Sequence, residues 1–428
     1  DSIRCQLMKE MIEKLSIENK VILVGVSTSD EDETRQSVEE LGELAKTAGA
    51  VPVGTLIQNR ESIHPGTYLG KGKIAELSEM IEALGADGII CDDELSPAQM
   101  ANLTDILQTK VMDRTLVILD IFASRASTRE GKIQVELAQL RYRATRLTGF
   151  GAAMSRLGGG IGTRGPGEKK LEIDRRLIKS RISQLKRELE EVNRHREVAR
   201  EQRSRTAVPV AAIVGYTNAG KSTLLNTLTS AGVLEEDKLF ATLDPTTRSL
   251  TLESGQQMLL TDTVGFIRKL PHHLVNAFRS TLEEAKYADM ILHVVDVSNP
   301  QMIRQIQVVY ETLQNLDISG KPIITAFNKI DKIPEEDRTG IRDFRADKEV
   351  YISAKQGIGL DRLLEAAEDI LKAGRMYLEK VFDYQEAGSI AMIRKHGQLI
   401  AEEYTGDGIA VKAWVPADIY ARFMKNER

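Results

Sequence analysis

A chain of 428 residues is longer than one hydrophobic core ordinarily organises, so two or three domains are expected. Its 42% apolar content is that of a soluble globular protein, with no apolar run near the roughly 18 residues of a membrane span and no secretory signal pattern at the start of the given sequence. Cys5 and Cys91 alone exclude a disulfide framework or a cysteine metal cluster and point to a reducing cytoplasm, while the lack of a Met before Asp1 implies that a few residues precede it.

The net charge of −5 hides an uneven distribution. From Arg125 to Arg205 there are 21 Lys and Arg against 10 Asp and Glu, an excess of +11 that leaves the rest of the chain at −16. A basic middle in an acidic protein indicates a surface facing phosphates, although a solvated helix pair carries such an excess too.

The first 124 residues alternate strand and helix patterns. Val21–Val26 reads as a buried strand, and Asp30–Ala48 as a helix with Val38, Leu41 and Ala45 on one face. Val51–Ile57, Ile74–Leu84 and Gly88–Cys91 continue as strand, helix and strand, giving a small α/β domain. Thr67–Lys73 (TYLGKGK) is glycine-rich but lacks phosphate-loop spacing, so it reads as a plain turn before a helix rather than an anion cradle.

From Arg129 the period changes to that of a helix. Ile133, Leu137, Leu140, Ala144 and Leu147 form one stripe, and Leu171, Ile178, Ile182, Leu185, Leu189 and Val192 another. Two such stripes over residues 125–206 predict a long antiparallel helical hairpin zipped along apolar seams, its second arm on the order of 50 Å long. Between Gly149 and Gly167 lie eight glycines, with Arg156 and Arg164 among them and Lys169 and Lys170 beside them. Such a tip cannot build a core; it suits either a flexible connector or close approach to RNA backbone.

At residues 207–374 the apolar strand VAAIV runs into Gly215-Tyr216-Thr217-Asn218-Ala219-Gly220-Lys221-Ser222, with Thr223 opening a helix. This is the full G-x-x-x-x-G-K-S spacing in strand–loop–helix context. The glycines let backbone N–H groups converge on a β-phosphate at the positive end of the helix. Lys221 bridges β- and γ-phosphates, and the Ser222 hydroxyl completes a Mg²⁺ shell. Asp262-Thr263-Val264-Gly265 follows a predicted strand, where a carboxylate can hold a water on Mg²⁺ and the Gly265 N–H can meet a γ-phosphate. Asn328-Lys329-Ile330-Asp331 follows another, and the Asp331 carboxylate can accept from N1–H and the exocyclic amine of guanine, donors that adenine lacks. Ser353-Ala354-Lys355 can offer a backbone N–H to guanine O6. In this order the four strings select GTP over ATP.

Phe240-Ala241-Thr242-Leu243-Asp244-Pro-Thr246-Thr247-Arg248 is the candidate first switch. Thr242 and Thr246 both qualify as the Mg²⁺-ligating threonine, Thr242 lying nearer to Ser222 in spacing. Lys221, Thr242 and Gly265 are thus the candidate catalytic groups, and Ser222 and Thr242 the metal ligands. Phe266 stands where small GTPases carry a water-orienting Gln, so unassisted hydrolysis should be slow, on the order of 10⁻⁴ s⁻¹. Arg268, Lys269, His272 and His273 follow; they are expected as exposed basic residues at a partner surface, the less favoured alternative being a part in positioning water, with one of the His pair as base. In the last segment, 375–428, Ser389–Ile393 and Ile409–Trp414 read as strands around a Thr405–Gly408 turn, with a helix from Ala417.

The fold class is therefore α/β and multidomain: a P-loop GTPase domain preceded by a small α/β domain with a helical hairpin, and followed by a small α/β module. GYTNAGKST, FATLDPTTR, DTVGFI and especially GGGIGTRGPGE before a basic helix resemble the HflX family of bacterial GTPases over about Val21–Gly374. The resemblance implies binding to the large ribosomal subunit and its rRNA, with the hairpin tip near peptidyl-transferase RNA. It also implies splitting or rescue of stalled ribosomes under stress in the GTP state, with hydrolysis stimulated by the ribosome. It gives Gly215–Ser222, Phe240–Asp244, Asp262–Gly265, Asn328–Asp331 and Ser353–Lys355 as nucleotide contacts. A cytoplasmic monomer is expected. The alternatives are a GTPase of tRNA modification or ribosome assembly, and an RNA-binding adaptor that uses nucleotide structurally.

Overall fold

The computed structural model describes residues 19–157, 166–204, 208–229, 239–240, 243, 245–253, 256–269, 284–338, 340–373 and 375–424. Two compact units are formed. The first comprises Asp1–Leu189, Asp237–Leu243 and Arg268–Phe278, and the second Glu190–Glu236, Asp244–Ile267 and Arg279–Arg428.

In the first unit, β1 (Lys20–Ser27), α1 (Glu31–Thr47), β2 (Val51–Asn59), α2 (Lys71–Leu84), β3 (Gly88–Cys91), α3 (Pro97–Leu107), β4 (Lys110–Asp113) and α4 (Arg114–Arg125) alternate. The strands form one parallel sheet in the order β2-β1-β3-β4. The VILVGV run is apolar throughout because β1 is buried on both faces, as a central parallel strand must be. Asp30 caps α1 by accepting from the N–H groups of Asp32 and Glu33. Thr67–Gly70 is a structural turn, with Tyr68 and Leu69 buried and the Gly70 N–H donating to Gln58, and Lys71–Lys73 open α2. The sequence reading passed over α3 and β4, although Ser96 and Gln99 form a capping box with Pro97 at the first helical position.

The helical stripes form α5 (Arg129–Leu157) and α6 (Pro166–Ser204). Ile133 and Leu137 pack on Leu185, flanked by Leu140, Ile182 and Leu189. Arg181 clasps Glu136 through Nε at 2.7 Å and Nη2 at 2.9 Å. The base of α5 is anchored to the first sheet by Asp113, which accepts from the Tyr142 hydroxyl at 2.9 Å and from Arg146 at 2.7 Å. Arg156, Lys169 and Lys170 lie on these helices, while Gly158–Arg164 lies outside the described residues.

The second unit contains β5 (Val210–Gly215), α7 (Lys221–Thr229), β6 (Thr246–Thr251), β7 (Gln257–Asp262), β8 (Met290–Asp296), α8 (Met302–Asn315), β9 (Ile323–Asn328), β10 (Lys348–Tyr351) and α9 (Leu360–Ala373). Six strands run in the order β10-β9-β8-β5-β7-β6, all parallel except β6, which pairs antiparallel with β7. Thr246, weighed as a switch threonine, is the first residue of β6 and sits opposite Asp262 in the ladder.

The last segment is β11 (Arg375–Phe382), α10 (Ala387–His396), β12 (Gln398–Thr405), β13 (Gly408–Pro416) and α11 (Ala417–Met424), an antiparallel sheet β11-β13-β12 with two helices. The expected strand over Ser389–Ile393 is corrected to helix. Ile390 and Ile393, both buried, are spaced by three, the step that keeps two side chains on one helical face. Among the described residues no helix is long and apolar enough to cross a membrane.

Candidate nucleotide site

The phosphate loop spans the turn between β5 and α7. Gly220 of this loop is required by its backbone, at φ +96°, and in the neighbouring Asp262–Gly265 segment a Cβ on Gly265 would lie 2.9 Å from the Thr217 Cα. Asn218 holds a left-handed φ of 61° at the apex of the loop. The Lys221 ammonium is buried and donates to the Tyr216 carbonyl at 2.8 Å. Burial lowers its pKa to about 8, against the opposing pull of Asp262. Lys221 is therefore a desolvated donor, held by one carbonyl where phosphate oxygens would serve it better.

Ser222 donates to Asp262 Oδ2 at 2.8 Å. This pair of hard oxygens at the C-terminal end of β7 suits Mg²⁺, which takes few protein oxygens and fills its octahedron with phosphate and water. Thr263 fastens the same segment by donating to the Ile213 carbonyl at 2.7 Å. Phe266 takes a structural part: its N–H donates to the Gly215 carbonyl and its own carbonyl accepts from Thr217 N–H, so Val264–Phe266 is laced to the phosphate loop. The Phe266 ring is 2% exposed.

The base-binding end is assembled from three segments far apart in sequence. Asn328, at the end of β9, donates from Nδ2 to the Ala219 carbonyl at 2.8 Å and accepts from the Ala354 N–H at 2.9 Å. It thereby clamps the phosphate loop to the Ser353–Lys355 turn, with Thr227 adding a bond to the Ala354 carbonyl. Lys329 donates to the Asn218 carbonyl at 2.8 Å and pairs with Asp296 at 2.7 Å. Asp331 is exposed, and its Oδ1 accepts from the buried Ser353 hydroxyl at 2.6 Å. Lys355 is exposed beyond this turn. Asp296, which the sequence reading missed, ends β8; its signal was a lone carboxylate closing the apolar run MILHVV at the C-terminal edge of a parallel sheet.

The structure thus brings together Gly215 to Thr223, Asp262 to Gly265, Asn328 to Asp331 and Ser353 to Lys355. Ala241, Thr242 and Asp244 lie outside the described residues, as do His272 and His273. Phe240 belongs to the first unit, where its ring packs edge-on against Phe122 with centroids 4.6 Å apart, and Leu243 is buried. Of the expected exposed basic residues Arg268 and Lys269, both in the first unit, Lys269 is exposed and Arg268 is buried. Arg268 is 7% exposed and its carbonyl accepts from Arg114, while the Lys269 ammonium bonds Asp92 and Asp93.

A phosphate loop on a parallel sheet, with a carboxylate and a serine hydroxyl poised at the guanine end, defines a P-loop GTPase that holds GTP and GDP and hydrolyses GTP. Family models described as "GTP-binding GTPase N-terminal", "GTP-binding GTPase Middle Region" and "50S ribosome-binding GTPase" match residues 35–123, 125–203 and 210–329. A GTPase HflX from Lacrimispora saccharolytica is 66% identical over 98% of this chain and 99% of its own length. Those from Caldanaerobacter subterraneus subsp. tengcongensis and Escherichia coli are 51% and 41% identical, covering 94% and 84% of this chain and 92% and 85% of theirs. The chain belongs to the HflX family of GTPases.

Proposed function

We propose that this GTPase binds the large ribosomal subunit and, in its GTP state, separates stalled ribosomes into subunits under stress. The observation that carries this reading is the +11 excess of charge over Arg125–Arg205, concentrated on a hairpin whose glycine-rich tip suits contact with rRNA. The family model over residues 210–329, described as a 50S ribosome-binding GTPase, supports the same partner. In this reading residues 1–124 are an α/β domain, 125–206 the RNA-facing hairpin, 207–374 the GTPase domain and 375–428 an accessory module. Gly215 to Thr223, Phe240 to Asp244, Asp262 to Gly265, Asn328, Lys329, Asp331 and Ser353 to Lys355 hold the nucleotide. Ser222 and Thr242 ligate Mg²⁺, which shields the phosphate charge when bound. Lys221, Thr242 and Gly265 serve hydrolysis, and the ribosome supplies the water positioning that Phe266 cannot. The protein works in the cytoplasm as a monomer.

The test compares GTP turnover with and without purified 50S subunits and follows 70S particles by sedimentation with a non-hydrolysable GTP analogue or GDP. Stimulation by orders of magnitude, and subunit separation with the analogue alone, are expected. No stimulation and no separation would reject the reading.

A further inference from the structure

Phe344 is 96% exposed, the most exposed of the large apolar side chains described. A surface Phe is unremarkable on a floppy tail, but this one stands on a fixed turn. Asp343 opens the turn: its carbonyl accepts from the Ala346 N–H at 3.1 Å and its Oδ1 from the Arg345 N–H at 3.2 Å, which leaves Phe344 and Arg345 as the two central residues. The Asp343 carboxylate is itself buried, and Oδ2 accepts from the Tyr310 hydroxyl of α8 at 2.8 Å and the Thr325 hydroxyl of β9 at 2.6 Å. On the entry side the Tyr351 hydroxyl donates to the Ile341 carbonyl at 2.6 Å, and Arg342 pairs with Glu349 at 2.7 Å. Arg345 lies with its guanidinium carbon 5.1 Å from the centre of the Tyr310 ring. Ile303, 76% exposed, lies two turns before Tyr310 on the same stripe of α8.

A buried, three-sided hydrogen-bonded anchor therefore presents one bare aromatic ring with an ordered arginine beside it. Aromatic and arginine side chains on rigid supports are the residues that carry most of the energy at protein interfaces, because they bury large area at little cost in ordering. Phosphate does not fit here. From Glu335 to Glu349 there are six Asp and Glu against four Lys and Arg, the opposite sign to the hairpin. Of those cations Arg342 and Lys348 are paired with Glu349 and Asp369.

We propose that Phe344 is a docking knob that inserts into an apolar pocket on a protein component of the large ribosomal subunit, with Arg345 meeting a carboxylate at the pocket rim. The choice of subunit rests on the function proposed above; the choice of protein over RNA rests on the charge of residues 335–349.

The experiment places a photoreactive benzoyl-phenylalanine at position 344 of the full chain, and compares F344A with the unaltered protein in sedimentation with purified 50S subunits. A crosslink to a ribosomal protein is expected. F344A should bind at least about tenfold more weakly, by the same factor at low and high salt, with GTP affinity and thermal midpoint unchanged because the residue is 96% exposed. A crosslink to rRNA, or F344A binding as tightly as the unaltered protein, overturns the proposal while leaving ribosome binding intact. Failure of the unaltered protein to sediment with 50S subunits overturns the proposed function, and this partner with it.

Discussion

The parallel sheet of the first unit and the mostly parallel sheet of the second both carry carboxylates at or just beyond the C-terminal ends of their strands, and Asp92 and Asp331 are used in opposite ways. In the first unit Asp92, fully buried, accepts from Arg114 at 2.8 Å and Ser37 at 2.8 Å and pairs with Lys269. Asp93 accepts from Tyr68 and Lys269, and Asp113 from two backbone N–H groups, Tyr142 and Arg146. Burial by itself would raise the Asp92 pKa, yet Arg114 and Lys269 hold it below the ordinary carboxylate value. In the second unit Asp331 is exposed and, among the described residues, accepts from Ser353 alone. A carboxylate saturated by its own chain stabilises; one left with spare acceptors selects a ligand. The same edge of the same kind of sheet serves either end, depending on whether the chain supplies the cations.

Removing the open carboxylate has the largest expected effect. Asp331→Asn replaces two charge-assisted bonds to guanine, each contributing about 1.5–3 kcal/mol, so GTP affinity should fall more than about 100-fold. The new amide donor should gain affinity for xanthosine triphosphate, whose ring offers an oxygen at that place. Titration calorimetry reads both, and GTP affinity retained within a few-fold would break the contrast at its open end.

On the saturated side, Arg114→Ala leaves Asp92 buried with a missing partner. Unfolding of the first unit should lose about 3–5 kcal/mol in a urea titration, the cost of breaking a buried ion pair from one side. An unchanged midpoint would show that Ser37 and Lys269 satisfy Asp92 unaided.

Lys221 sharpens the comparison through pH. Its pKa in the folded protein, about 8, lies below the ordinary 10.5, so between those values the unfolded chain binds the extra proton and the nucleotide-free fold gains stability as pH rises. Phosphate favours the ammonium, so GDP affinity should be flat below pH 8 and fall by up to about tenfold per unit above it. Calorimetry at pH 9 in buffers of differing ionisation enthalpy should register uptake of close to one proton on binding. No uptake would mean that Lys221 stays charged before nucleotide arrives.

The smallest effect belongs to Ser353→Ala, which frees Asp331 from its 2.6 Å bond but leaves its charge. A loss of about 1 kcal/mol, some fivefold in GTP affinity, is expected. A loss as large as that of Asp331→Asn would assign the serine a direct contact with the base.

Much of this was legible before any fold was known. The VILVGV strand, the hairpin stripes and the phosphate loop were readable because each is dictated by local periodicity or by backbone freedom at a few glycines. The helix α10 is misread as a strand because Ser389–Ile393 is a short, mostly apolar run, a pattern that five residues cannot resolve between strand and helix. Arg268 reads as solvent-facing because charge alone does not reveal that its side chain is buried, and nothing local shows that the exposed Lys269 meets Asp92 and Asp93.

The sequence by itself determined the kind of nucleotide held and the order of the segments that hold it, since those requirements sit within runs of four to eight residues. Only the tertiary structure decided which carboxylates are spent inside the protein and which are kept for a ligand. Lys269 reaches Asp92 across 177 residues and Asn328 reaches Ala219 across 109, and no local pattern encodes either meeting. Phe344 stands between the two cases: its neighbour Asp343 opens the turn locally, but the carboxylate of Asp343 is held by α8 and β9.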